Sequence, residues 1–210
     1  LPTTHLLIFA REPELGRVKT RLAATIGSAA ALGVYRELLA LTAAAVAEAA
    51  LPATLWLAEV PATPAAHPAQ PRPEWPGLPW RVQPAVPDLG QRMQHAFAEA
   101  FAGGAAQALI IGTDCPGLTA ELLRQAAAAL TTHDLVLGPA DDGGYYLLGM
   151  KQLHLTLFAG KQWSTPTVLA DTLADAARLG LRVAQLPALP DVDSAADLAR
   201  WRGLGGTARP

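Results

Sequence analysis

The segment LLIFAREPELGRVKTRL, Leu6 to Leu22, follows four apolar residues with Arg11, Arg17, Lys19 and Arg21 in a turn marked by Pro13 and Gly16. Permanent positive charges at the end of a buried strand suit an anion rich in oxygens, above all a phosphate, and Gly16 permits close backbone approach. The alternative is a solvated turn in which Glu12 and Glu14 pair with these cations. The loop is neither a Walker A loop nor G-x-G-x-x-G.

Three further stretches carry acids. In IIGTDCPGL (Ile110 to Leu118), Asp114 stands just past an apolar run, where a carboxylate can offer hard oxygen to Mg²⁺ or Mn²⁺. It can equally be a turn-forming Asp ahead of Pro116. Cys115 beside it reads as a small buried residue, because no histidine is near in sequence to activate it. In GPADDGGYYLLG (Gly138 to Gly149), Asp141 and Asp142 precede Gly143 and Gly144, so carboxylates sit over a backbone that a ligand can approach. Asp142 is the candidate base or hydroxyl contact, and Asp141 is more expendable. Asp-Gly is also a hairpin signal. In LPDVDSAADL (Leu189 to Leu198), Asp191 or Asp193 can supply a second metal carboxylate, while Ser194 with Asp197 resembles a capping box. DLGQRM (Asp88 to Met93) offers Arg92 in the first turns of a helix, and WSTP offers Trp163, Ser164 and Thr165. Either could touch a ligand, or merely cap and pack. The five histidines are scattered without the spacing of a zinc site.

These residues need a scaffold, and the chain alternates short apolar runs with Ala-rich helical stretches. The pattern predicts strands at His5–Ala10, Ala53–Glu59, Trp80–Gln83, Ala108–Asp114, in DLVLGPA and YYLLGM, and in LRVAQL. It predicts helices from Ser28, as N-cap, to about Ala50, over Leu89–Ala102 and Thr119–Leu130, from Thr165-Pro166 to about Leu179, and over Ser194–Trp201. The proline-rich stretch 60–79 is expected to be a surface loop. Near-continuous apolar strands between helices imply a mainly parallel sheet covered on both faces. Ligands in such sheets bind beyond the strand carboxyl ends, so Arg11 and Asp114 are expected to face one crevice.

The chain of 210 residues suits one domain spanning 1–210, and 51% hydrophobic residues exclude a disordered or fibrous protein. A net charge of -2 argues against a nucleic-acid partner. The single cysteine excludes an internal disulfide framework and fits a reducing cytoplasm. LPTTH carries no charged n-region or cleavage motif, so no secretory signal is expected there. No uninterrupted apolar run reaches the roughly 18 residues of a membrane helix.

In this order, FAREPELGRVKTRL, DLGQRM, GTDCPGL, GPADDGGYYLLG, WSTPTVL and LPDVDSAADL resemble the bacterial DUF2064 family, GT-A-like glycosyltransferases also called selenodomain-associated transferase 1. The resemblance runs from about Leu6 to Leu198. It implies a three-layer α/β/α, Rossmann-like nucleotide-diphospho-sugar transferase fold of the GT-A type, related to molybdenum-cofactor and phospholactate nucleotidyltransferases. Carried over, it makes Arg11, Gly16, Arg17, Lys19 and Arg21 nucleotide and phosphate contacts and Asp114 a metal ligand. Beside these, Ala10, Arg92 and Thr113 are expected to touch the nucleotide, and Gly143, Gly144, Trp163, Ser164 and Thr165 the substrate. Asp142 with Asp114 is expected to be catalytic. DVDSAADL resembles the DxDTPEDL ending of related nucleotidyltransferases, so Asp193 joins Asp114 as a metal ligand, with Asp191 beside it. Ser-Ala-Ala replaces Thr-Pro-Glu without moving the acids.

The resulting expectation is a cytoplasmic, Mg²⁺- or Mn²⁺-dependent glycosyltransferase that takes a nucleotide-diphosphate sugar and an acceptor. A nucleotidyltransferase of the molybdenum-cofactor or phospholactate guanylyltransferase kind is the rival. The first loop lacks that class's Gly-Gly-x-Gly-x-Arg, whereas Lys19 and the C-terminal acids suit it. The third reading is a non-catalytic nucleotide-binding module.

Overall fold

A computed structural model describes residues 3–58 and 73–204. The chain runs β1 (Thr4–Ala10), α1 (Thr20–Ile26), α2 (Ser28–Ala49), β2 (Ala53–Leu57), β3 (Trp80–Val82), α3 (Leu89–Ala102), β4 (Gln107–Ile111), α4 (Ala120–Ala129), β5 (Leu135–Pro139), β6 (Tyr145–Met150), α5 (Val168–Arg178), β7 (Val183–Gln185) and α6 (Ala195–Leu204). The seven strands form one sheet in the order β3-β2-β1-β4-β6-β5-β7. Only the β6 pairings, with β4 and with β5, are antiparallel; the other named pairs are parallel.

The alternation of strand side chains divides the core into two faces. Leu6 and Ile8 of β1 pack with Leu39 of α2 and Leu123 of α4, whereas Leu7 packs with Phe97 of α3 and Ala176 of α5. Leu109 and Ile111 of β4 join the first cluster, and Ala108 and Ile110 join the second. Period-two projection from strands buried on both sides therefore produces the three-layer α/β/α fold. Each such leucine or isoleucine contributes about 1.5–3 kcal/mol by leaving water.

Helix α2 is long and apolar enough, by length and composition, to cross a membrane. Here it buries Val34, Leu38, Leu39 and Val46 as a core helix does. Ser28 is not its cap. Gly27, at φ 84, donates its N–H to Ala23 at the end of α1 and accepts from Ala31 at the start of α2, so one glycine separates two helices. Helix α1 has no counterpart among the expected elements; its seven residues carry Arg21, which therefore sits on a helix and not in an extended loop. The α5 helix begins at Val168, later than expected, after a turn in which the Val168 N–H donates to the Thr165 carbonyl at 3.3 Å. The predicted strand residue Glu59 and most of the proline-rich stretch lie outside the described residues. Within the described end of that stretch, Trp75 joins the core.

Candidate active site

Strands β1 and β4 are parallel neighbours, so the segments that follow them leave the sheet side by side. Because β6 is antiparallel, its amino end and the turn before it reach that same sheet end, with Ile111 opposite Leu147. Arg11 and Asp114 thus share one crevice, as expected of strand carboxyl ends. The first loop is held at its root by Tyr35 of α2. The Arg11 N–H donates to the Tyr35 hydroxyl at 2.9 Å, and that hydroxyl donates to the Arg11 carbonyl at 3.0 Å. Burial pushes the Tyr35 hydroxyl up to about 12, so it stays a neutral clasp.

Lys19 occupies the left-handed region at φ 48, immediately before α1. Its ammonium lies 2.6 Å from Asp114 Oδ1 and 3.8 Å from Asp193 Oδ1. Arg21 reaches the other oxygen of Asp193 at 3.2 Å. The Lys19 side chain is 4% exposed, while Asp114 and Asp193 remain 53% and 41% exposed. The two acids meet because the Val192 N–H donates to the Asp114 carbonyl at 3.0 Å, laying the C-terminal segment on the β4 loop. Two carboxylates thus converge on one cation and keep open faces. Among the described residues no group of three or more His, Cys, Asp or Glu is arranged to hold a metal. A pair of acids of this kind fits Mg²⁺ or Mn²⁺ when phosphate oxygens supply further ligands.

Two cavities adjoin at Asp114. The larger, about 540 Å³, is lined by Ala10, Arg11, Arg17, Lys19, Arg21, Arg92, Thr113 and Asp193, together with Tyr35 and Gln83. The smaller, about 250 Å³, is lined by Asp142, Gly144, Trp163, Thr165 and Asp191, with Met93, Tyr145 and Tyr146. Phe9, Leu89, Gly112, Asp114 and Ser164 border both. Arg92 is fixed by donating Nε–H to the Val86 carbonyl at 2.7 Å.

The smaller lobe is built around a tight turn. The Asp142 Oδ1 accepts the Gly144 N–H at 2.8 Å, and the Gly143 N–H donates to the Ala140 carbonyl at 3.1 Å. Gly143, at φ +86, has no room for a side chain, since a Cβ would stand 2.2 Å from the Pro166 carbonyl oxygen. Its own carbonyl accepts the Leu169 N–H at 3.0 Å, which ties the turn to the start of α5. Trp163 packs on Gly90 of α3, where a Cβ would come within 2.5 Å of the indole. The Trp163 indole N–H is buried without a hydrogen-bond partner. Burial, and then the charge of Asp142, push the Asp191 carboxyl up. Burial and the charge of Asp114 push the Cys115 thiol well up, so it remains protonated, a small buried residue as its sequence context suggested.

Nearly all the residues singled out by sequence come to this cleft. Gly16 and Gly143 do not line it; Gly16 shapes the first loop at φ 76, and Gly143 packs the turn against Pro166. Asp191 faces the smaller lobe, while Asp193 faces Lys19 in the larger one, so the two are divided and not side by side. Ser194 and Asp197 do form the capping box: the Ser194 N–H donates to Asp197 Oδ2 at 2.8 Å and the Asp197 N–H to Ser194 Oγ at 3.3 Å. Asp141 is turned outward, 3.8 Å from Arg200. Sequence reasoning missed Tyr35, Gln83, Tyr145 and Tyr146. The Tyr-Tyr pair lay inside a motif already singled out, and its aromatic character was the available signal.

The family described as "Uncharacterized protein conserved in bacteria (DUF2064)" matches residues 41–165. A candidate nucleotide-diphospho-sugar transferase from Desulfovibrio desulfuricans G20 is 30% identical, with TM-score 0.90 over 99% of this chain and 90% of its own. CMP:2-keto-3-deoxy-manno-octonic acid synthetase complexed with CTP is 13% identical, with TM-score 0.54, covering 97% and 98%. The manganese complex of Rv0371C from Mycobacterium tuberculosis H37Rv is 18% identical, with TM-score 0.57, covering 95% and 97%. The last two share the fold alone. No curated protein matches this chain.

Proposed function

The chain belongs to the DUF2064 family, and from that membership and the charge layout of its cleft we propose a cytoplasmic, metal-dependent glycosyltransferase that uses a nucleotide-diphosphate sugar. One observation carries the reading. The cations gather in the larger lobe around Asp193, Asp142 and Asp191 stand in the smaller lobe without a basic neighbour among the described lining residues, and Asp114 stands where the lobes meet. A nucleotide diphosphate needs the first environment, and a hydroxylated group with a proton to lose suits the second.

In this reading Arg11, Arg17, Lys19 and Arg21 hold the diphosphate, and Asp114 with Asp193 would hold Mg²⁺ or Mn²⁺. The bound metal supplies Lewis-acid neutralisation of the diphosphate. The oxygen of an acceptor hydroxyl attacks the anomeric carbon of the sugar. The bond from that carbon to the β-phosphate oxygen breaks, and its electron pair stays on the departing diphosphate. The hydroxyl proton passes to the Asp142 carboxylate, which the Gly144 N–H orients. Lys19 stabilises charge as it develops on the leaving group, where a preformed cation lowers the barrier most.

Nucleotidyl transfer is the second reading, favoured by the convergence of Lys19, Asp114 and the C-terminal Asp193. There a phosphorylated acceptor attacks the α-phosphate of a triphosphate and pyrophosphate departs. Phosphorus NMR separates the two. The protein is incubated with Mg²⁺ and either nucleotide sugars or nucleoside triphosphates with phosphorylated acceptors. Glycosyl transfer predicts slow release of nucleoside diphosphate from a nucleotide sugar. Acceptor-dependent pyrophosphate would overturn it, and nucleotide binding without turnover would leave a non-catalytic nucleotide-binding module.

A further inference from the structure

Past Asp114 the cleft changes sign. Five basic side chains, Arg11, Arg17, Lys19, Arg21 and Arg92, border the larger lobe. Among the described residues no lysine or arginine borders the smaller one, whose charged walls are Asp142 and Asp191, with Asp114 at its mouth already paired to Lys19 at 2.6 Å. A phosphate monoester brings roughly 1.5–2 negative charges at neutral pH, and this lobe offers them no counter-charge. Like charges brought together in a narrow site are a strong means of rejecting a ligand.

The same walls have a positive preference. The carboxylates accept hydrogen bonds, and the Trp163 and Tyr145 rings give the lobe aromatic walls. A hydroxylated ring suits both, since its hydroxyls donate to a carboxylate while its carbon skeleton lies on the aromatic rings. An amine can donate to the acids as well. The volume of about 250 Å³ suits one small ring and not a nucleotide. We propose that the smaller lobe is a subsite for an unphosphorylated hydroxylated or amino-bearing ring or polyol, and that it rejects the phosphorylated counterpart. The inference rests on nucleotide occupancy of the larger lobe. It holds whether the ring is the donor's sugar or the acceptor.

The test uses matched pairs: mannose and mannose 1-phosphate, glucosamine and glucosamine 1-phosphate, inositol and inositol 1-phosphate, glycerol and glycerol 3-phosphate. Calorimetry with nucleoside diphosphates and Mg²⁺ comes first and reports on the larger lobe alone; no binding there defeats the parent reading. Saturation-transfer NMR with each pair follows, with the larger lobe saturated by nucleoside diphosphate so that no sugar phosphate can lodge its phosphate among the cations there. At least one unphosphorylated member is expected to bind about tenfold or more tightly than its phosphate. Combined Asp142→Asn and Asp191→Asn substitution is expected to narrow that ratio, with the melting temperature confirming a folded protein. A nucleotide-sugar titration then separates the sources. A donor-borne ring displaces the free compound, whereas an acceptor binds beside it. Tighter binding of the phosphates, no binding by any unphosphorylated member, or a ratio indifferent to the double substitution would each overturn the proposal.

Discussion

Asp134 and Asp191 are the same residue type near opposite ends of the sheet, and the fold treats them in opposite ways. Asp134, just before β5, accepts the Arg182 backbone N–H at 3.0 Å and its Nε–H at 3.2 Å, with Lys151 at 3.1 Å. These partners hold its carboxyl well below the usual range. Asp191, at the cleft, is pushed up by burial and by the charges of Asp142, Asp197 and Asp114. At one end a charge is closed by its own chain. At the other, Asp142 and Asp191 are gathered in a lobe that no described lysine or arginine lines, while Asp114 and Asp193 beside them meet Lys19. Elsewhere Glu37 is closed by Arg202 at 2.6 Å and 2.8 Å, and buried Asp175 by Lys161 and Arg178. Under-compensated acid marks the cleft more sharply than acid content does.

Asp114→Asn is expected to have the largest effect. It removes an oxygen charge at the junction of the lobes while the buried residues around it keep their packing. Mn²⁺-dependent nucleotide affinity should fall about 100-fold or more, read by calorimetry. The melting temperature should fall as well, because the buried Lys19 ammonium then keeps, among the described residues, only Asp193, 3.8 Å away, but the protein should remain folded. Unchanged affinity would make Asp114 another closed acid like Asp134, and the contrast would collapse.

How much of this was legible in the sequence follows from the range of the forces involved. Strand existence and the shared crevice were legible, because apolar runs such as ALII and the parallel β1–β4 pairing they imply are set by local pattern. The capping box at Ser194 was legible for the same reason. The lobes were not. Asp191 and Asp193 stand two apart in sequence yet border different cavities, divided about the buried Val192, whose N–H binds the Asp114 carbonyl. Tyr35 was hidden because an apolar position on a helix gives no sign that its hydroxyl will clasp a loop 24 residues away. Helix α1 was hidden because its seven residues follow Lys19 in a left-handed turn that favours glycine.

A middle-sized effect sharpens the contrast in the direction of stability. Asp191→Asn replaces one of several neighbouring acids with a neutral side chain of similar shape. Removing the repulsion is expected to stabilise the protein at neutral pH by roughly 1 kcal/mol, while ligand binding in the smaller lobe weakens. Thermal melts read the first effect and NMR titration the second. A destabilised Asp191→Asn protein would mean that the carboxylate is structural.

Asp134→Asn is the smallest effect and should have the opposite sign. The substitution removes the charge that Arg182 and Lys151 share, so the protein loses stability at neutral pH. The pair is open to solvent and screened, so the loss should stay under about 1 kcal/mol, or about 2–4 °C in melting temperature. Its pH dependence follows from the depressed carboxyl. In the unfolded chain Asp134 protonates near its ordinary value of 3.8, but in the folded protein it does so only at lower pH. The stabilisation is therefore fully present above the unfolded value and is lost as pH falls through the folded one. Melting curves of the two proteins should run parallel from about pH 5 upward and converge in stronger acid. Added salt should narrow the gap at neutral pH, as it does for exposed charges. A gap that persists unchanged into acid would assign the stabilisation to hydrogen-bond geometry that asparagine cannot reproduce, and Asp134 would no longer serve as the closed-charge counterpart of Asp191.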